Sequence, residues 1–91
     1  MKAELIFHEK VKDASGIVEI KLWSVPITSV NPHGYKYSMV YIREGKRVLG
    51  YDNHEGKGDH GHYGEREEHY RFTSIDKLFE DFYKDIRRFR K

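Results

Sequence analysis

The sequence contains no cysteine and only two prolines among its 91 residues. The lack of cysteine excludes disulfide bonds, thiolate-ligated zinc sites and a cysteine nucleophile. No apolar run approaches the roughly 18–20 residues that a membrane-spanning helix needs, and the N-terminal residues contain no signal-peptide core. These absences predict a soluble, cytoplasmic protein that has no membrane partner.

Aliphatic side chains are missing from one long segment of the chain. Residues 50–74 contain no Ile, Leu, Val or Met, yet these 25 residues hold five of the eight glycines and four of the six histidines. A long segment without core residues inside a small domain is usually a functional loop. The composition therefore predicts that the function of the protein lies in this segment.

Apolar and polar residues alternate over the first half of the chain. Val18, Ile20 and Leu22 are each separated by one polar residue, and this period of two predicts a strand with one buried face. Similar patterns, separated by turn-forming residues, predict an antiparallel meander of about four strands in a single domain. The predicted strands cover residues 2–11, 16–25, 34–43 and 46–52, and a glycine- and histidine-rich loop follows at 53–69.

The last part of the chain has the periodicity of a helix. Ile75, Leu78, Phe82 and Ile86 recur at intervals of three or four residues, which predicts one amphipathic helix over residues 74–90. A sheet covered on one face by such a helix belongs to the α+β class. The basic residues at the end of the helix offset the negative pole of the helix dipole.

The run Gly56-Lys57-Gly58 does not have the pattern of a nucleotide-binding loop. A P-loop requires glycine where this chain has Tyr51 and a serine or threonine where it has Gly58. The sequence therefore excludes a P-loop NTPase.

The polar residues of the segment favour RNA cleavage by acid–base chemistry, with no metal and no cofactor. Histidine can take or give a proton near neutral pH, a fixed cation stabilises the charged phosphorane, and tyrosine stacks on a base. Lys57 is the leading candidate, because it lies between two glycines and has no neighbour to pack on. The predicted catalytic residues are Lys57, His60, His62, Tyr63 and Arg66, and the predicted substrate-binding residues are His33, Asp52, Asn53 and Asp59.

Two other functions fit the same segment. In an extended segment His60 and His62 point to the same side, so with Asp59 they can ligate a metal ion in a hydrolase or nuclease. His54 or Glu65 would supply the further ligand of that site. The second alternative is a non-enzymatic module whose basic surface and loop bind nucleic acid or a partner protein.

Several short motifs resemble the signature of the TumE family of toxins. They are His33-Gly34-Tyr35-Lys36-Tyr37, Tyr51-Asp52-Asn53, Gly56-Lys57-Gly58-Asp59-His60, His62-Tyr63-Gly64 and Tyr70-Arg71-Phe72-Thr73. The resemblance runs over nearly the whole chain. It implies a toxin of a type II toxin–antitoxin system, neutralised by direct binding of an antitoxin with a helix-turn-helix domain. The family does not supply a biochemical target, so RNA as the substrate is predicted from the residues alone.

Overall fold

The computed structural model describes residues 3–29, 31–53 and 58–89 of the chain. Within these residues the chain forms one antiparallel sheet, whose strands follow one another in sequence order, and a C-terminal helix. The predicted α+β class is confirmed. The elements are β1 (Glu4–Asp13), β2 (Gly16–Ser24), β3 (Tyr35–Arg43), β4 (Lys46–Asp52), β5 (His60–Tyr63), β6 (Arg66–His69) and α1 (Ile75–Phe89).

The prediction of about four strands is wrong, because the described residues form a sheet of six strands. The additional strands β5 and β6 lie within residues 53–69, which the sequence predicts to be a loop. They form by backbone pairing of β5 with β4 and of β6 with β5. Histidine, glycine and glutamate make up most of the two strands, so no apolar alternation marks them in the sequence.

One face of the sheet packs against α1. The cross-strand partners Ile20, Met39 and Tyr51 form a row of buried side chains on this face. Leu78 and Phe82, one turn apart on α1, are fully buried over the sheet, and the rings of Phe82 and Tyr51 meet edge-on with centroids 5.7 Å apart. We call this side of the sheet the covered face and the opposite side the open face.

Alternation along β4 and β5 decides which side chains reach the open face. Tyr51 is buried on the covered face, so Gly50 and Asp52 lie on the open face. Gly50 pairs with His62, and Asp52 pairs with His60. Directly paired residues share a face, and both histidines therefore lie on the open face.

The side chain of Asn53 extends the sheet beyond the end of β4. Its Oδ1 accepts a hydrogen bond from the backbone N–H of Tyr37 at 3.0 Å, and its Nδ2 donates to the carbonyl of Tyr35 at 2.8 Å. Asn53 is only 9% exposed. The structure thus places this predicted substrate-binding residue in the scaffold, where it holds the end of β4 against β3.

The variant Asn53→Ala is expected to lower the free energy of unfolding by about 2–4 kcal/mol, because two buried backbone groups lose their partners. Urea denaturation followed by circular dichroism measures the change. Lys84→Ala, on the exposed side of α1, is the control and should stay within about 0.5 kcal/mol of the wild type. An equally small effect of Asn53→Ala would contradict the scaffold role.

Candidate functional site

Four side chains of β4, β5 and β6 meet on the open face. Asp52 is paired with His60, and His62 is paired with Glu67 on the next strand. Since His60 and His62 are two residues apart in an extended strand, they point to the same side. We call these four residues, Asp52, His60, His62 and Glu67, the His–carboxylate cluster.

One carboxylate bridges the two imidazoles of the cluster. Asp52 Oδ1 lies 2.7 Å from His60 Nε2, and Asp52 Oδ2 lies 3.2 Å from His62 Nε2. Glu67 Oε2 lies 3.1 Å from His60 Nε2 and 3.8 Å from His62 Nε2. The two ring centroids are 4.8 Å apart and the rings are nearly perpendicular, at 77°. Two ring nitrogens and two carboxylates thus converge on one point.

The hydrogen bonds of His60 identify where its protons lie. His60 Nδ1 is 3.0 Å from the carbonyl oxygen of Gly58. Because a carbonyl oxygen only accepts hydrogen bonds, Nδ1 carries a proton. The other ring nitrogen, Nε2, faces the carboxylates of Asp52 and Glu67, which would repel a lone pair. A proton or a cation must therefore lie between Nε2 and these oxygens.

The cluster is largely shielded from water but opens on one side. His60 is 8% exposed, and the side chains of Asp52 and His62 are 17% and 18% exposed. The Glu67 side chain is 52% exposed and forms the open side. Shielding strengthens the interactions among the charges, and the exposed side admits an ion or a substrate. A cleft next to His60 and Glu67 is lined by Asp59, His60, Glu67, Glu68 and His69.

The spacing of the cluster suits a divalent metal ion. Asp52, His60 and His62 each offer one ligand atom, and the three atoms lie within 4.8 Å of one another. Ligands bound at about 2.0–2.2 Å from one ion lie about 3.0–3.6 Å apart, depending on the coordination geometry. The three ligand atoms are 2.7 to 4.8 Å apart, which brackets this range, so side-chain rotation would bring all three onto one ion. The Gly58 carbonyl supplies the outer hydrogen bond that typically orients a metal-binding histidine.

His33 and Asp59, both predicted to bind substrate, belong to a different network. His33 Nδ1 accepts a hydrogen bond from the backbone N–H of Tyr35 at 3.2 Å, so Nε2 carries the proton and donates to Asp59 Oδ2 at 3.0 Å. The His33 ring stacks on Phe72, with centroids 3.9 Å apart. Both ring nitrogens of His33 are engaged in hydrogen bonds, and the residue links the start of β3 to Asp59 and Phe72.

The Asp59 side chain points toward the core rather than toward the His–carboxylate cluster. The same Oδ2 accepts a hydrogen bond from the hydroxyl of Tyr37 at 2.5 Å. Burial raises the pKa of Tyr37 far above its usual value, and the hydrogen bond to Asp59 raises it further, so this hydroxyl remains a donor. Asp59 therefore anchors the start of β5, and it does not take the place in the metal site that the sequence predicts.

Tyr63 and Arg66 lie on the covered face, away from the two histidines. Tyr63 is paired with Leu49, whose side chain is buried under α1. The guanidinium of Arg66 lies 5.4 Å from the centroid of the Tyr63 ring, and its Nε lies 2.8 Å from Glu68. The structure thus separates two of the predicted catalytic residues from His60 and His62. Tyr63 and Arg66 line a cavity beside the end of α1, together with Asp85, Arg88 and Phe89.

The remaining sequence candidates are Lys57, His54 and Glu65, and one cluster residue was not among the candidates. Lys57 and His54 lie outside the described residues. Glu65 is in the exposed turn between β5 and β6. Sequence reasoning missed Glu67 as a site residue. Its spacing of five residues from His62 would have revealed it only if the β5–β6 hairpin had been recognised.

The comparisons with known proteins place the chain in a family. A sequence model of the family described as Toxin TumE matches residues 2–90. The chain belongs to this family. The match confirms the TumE resemblance seen in the motifs and assigns the protein to a family of toxins. Comparisons with curated proteins and with solved structures found no match.

The helix of this TumE-family chain is short and polar. Within the described ranges, no helix has the length and apolar character that crossing a membrane requires.

The variant His33→Ala is expected to lower the free energy of unfolding by about 1–3 kcal/mol, because it removes a ring stack and two hydrogen bonds. The matched control is His8→Ala. His8 forms a similar pair with Glu19 at 2.9 Å, but its side chain is 45% exposed, and exposed pairs contribute about 0–1 kcal/mol. Thermal and urea denaturation of both variants measure the difference. Equal losses for the two variants would contradict a structural role specific to His33.

Proposed function

We propose that this TumE-family toxin is an endoribonuclease whose reaction centre is the His–carboxylate cluster, and that the cluster holds one divalent cation. The observation that carries the proposal is the convergence of His60 Nε2, His62 Nε2 and the Asp52 carboxylate on one point. The proton that His60 donates to Gly58 leaves Nε2 directed at negative charge, where a cation fits.

Charge favours a metal-bound form of the cluster. Among the described residues, the charged side chains that contact the two histidines are the carboxylates of Asp52 and Glu67, which would repel a phosphodiester. Arg66, predicted from the sequence to stabilise the phosphate, is paired with Glu68 and lies on the covered face. When bound, a divalent cation would supply both Lewis-acid stabilisation of the phosphate and an activated water.

The residues of the cluster then have distinct roles. Asp52, His60 and His62 hold the cation, and the Gly58 carbonyl keeps the imidazole of His60 in the tautomer that binds through Nε2. Glu67 is the most exposed member and lies nearest to an entering substrate. Its carboxylate can accept a proton there as a general base.

A metal-free ribonuclease is the second candidate, and the hydrogen bonding of His62 favours it. His62 Nε2 lies 3.2 Å from Asp52 Oδ2, an arrangement in which a carboxylate orients an imidazole. In the part of the chain that the structure describes, His62 Nδ1 has no hydrogen-bond partner. Nδ1 would then act as the general base toward the 2′-hydroxyl, and His60 would be the general acid, giving the proton between its Nε2 and Asp52 to the leaving 5′-oxygen. This is the acid–base reaction predicted from the sequence.

The proposal includes a protein partner. The family match supports a toxin, and a toxin of this kind requires an antitoxin that blocks it. The resemblance in sequence implies a type II system, in which an antitoxin with a helix-turn-helix domain binds the toxin directly.

Wild-type protein is expected to bind one equivalent of Zn²⁺ or Mn²⁺ in isothermal titration calorimetry. His60→Ala and His62→Ala each remove a ligand and should weaken binding by about 100-fold or more. His8→Ala is the matched control, because His8 also pairs with a carboxylate, that of Glu19, but lies on β1, away from the cluster. If His60→Ala and His62→Ala both bind the metal ion as tightly as the wild type, the proposed metal site is wrong.

Purified wild-type protein is expected to cleave single-stranded RNA, to lose this activity in EDTA and to regain it with excess divalent cation. Asp52→Asn and His60→Ala, verified as folded by circular dichroism, should cut at least about 100-fold more slowly. Cleavage that persists in EDTA and depends on His62 would support the metal-free candidate. Growth inhibition without any RNA cleavage would point to the non-enzymatic binding module.

A further inference from the structure

We infer that the open face of β1, β2 and β3 binds single-stranded RNA. This inference rests on the proposed function, because the bound RNA is the substrate that the His–carboxylate cluster cuts. Strand register carries the inference. Successive cross-strand partners place one row of side chains across all six strands, namely His8, Lys21, Ser38, Asp52, His60 and His69. The row connects a lysine of β2 with the cluster on β4 and β5 without a change of face.

An aromatic side chain and a second lysine lie beside this row. Trp23 of β2 is paired with Lys36 of β3, and both are half-buried. The Lys36 ammonium lies 5.6 Å from the centroid of the Trp23 ring. When this flexible ammonium moves off the ring, the indole offers its face to a base and the lysine remains beside it for the phosphate. Proteins hold single-stranded nucleic acid by this combination of base stacking and positive charge.

The open face of β1, β2 and β3 is basic. The only carboxylate on this part of the described face, Glu19, is bonded to His8 at 2.9 Å. Four lysines lie around it, and none of them forms a close ion pair with a described residue. They are Lys10, Lys12, Lys21 and Lys36. Their charge is therefore available for the phosphates of a bound strand.

The two halves of the open face complement each other. β2 and β5 are three strands apart, which corresponds to about 14 Å at the usual spacing of about 4.8 Å. A few nucleotides of extended RNA bridge that distance. An RNA strand held by Trp23, Lys21 and Lys36 thus places the phosphates a few nucleotides further along near His60 and Asp52.

We call Lys21, Trp23 and Lys36 the platform. Fluorescence anisotropy with a labelled ten-nucleotide oligouridine, in EDTA so that no metal-dependent cleavage occurs, tests whether the platform binds RNA. Trp23→Ala should weaken binding by about 5- to 150-fold, the range for loss of one stacked base, and Trp23→Phe should restore most of the affinity. Lys21→Ala and Lys36→Ala should each lower the slope of log affinity against log salt by about one unit. Lys84→Ala, on the exposed side of α1, is the matched control and should leave affinity unchanged.

The outcomes separate this inference from the proposed function. Wild-type affinity in folded Trp23→Ala, Lys21→Ala and Lys36→Ala proteins would overturn the platform, even if wild-type protein cleaves RNA. Binding that depends on these three residues would support the platform, even if no cleavage is found. Tighter binding of duplex RNA than of the single strand would overturn the assignment to single-stranded RNA.

Discussion

The antiparallel pairing of β4 with β5 is the constraint on which the rest of the site depends. It sets Asp52 opposite His60 and Gly50 opposite His62, so the imidazoles and carboxylates of the cluster meet on the open face. A shift of the register by one residue would turn both histidines toward α1. The core opposes such a shift, because Tyr51 on the same strand is buried against Phe82. Packing on the covered face therefore maintains the geometry of the open face.

Hydrogen bonds from tyrosines to aspartates tie the parts of the fold together. Three largely buried tyrosines donate in this way, namely Tyr37 to Asp59, Tyr51 to Asp85 and Tyr70 to Asp81. Burial raises the pKa of each tyrosine above its ordinary value, and the neighbouring carboxylate raises it further. The hydroxyls therefore remain protonated and continue to donate. The start of β5, the end of β6 and the helix are joined to the core by these bonds.

A sheet with a helix on one side leaves its other face free for function. On this protein the open face changes character from one edge to the other, with lysines and Trp23 on the first strands and the His–carboxylate cluster on the last strands. Positive charge attracts a phosphate backbone to the first half. The second half concentrates carboxylates and needs a proton or a cation to accept a phosphate. In our proposal, the face joins an RNA-binding region to a reaction centre on one sheet.

The sequence alone determined the helix, the strands β1 to β4 and the family, because local periodicity and short motifs encode them. It also predicted that the function lies in residues 50–74, since aliphatic side chains are missing there. It could not show that polar residues form β5 and β6, because their pairing with β4 is made by the backbone. Only the tertiary structure showed that Asp52 and Glu67 lie beside the two histidines of the cluster. It also showed that the Asp59 side chain points to the core and that Arg66 lies on the covered face. The positions of these side chains follow from strand register, which depends on pairing between residues that are distant in the chain.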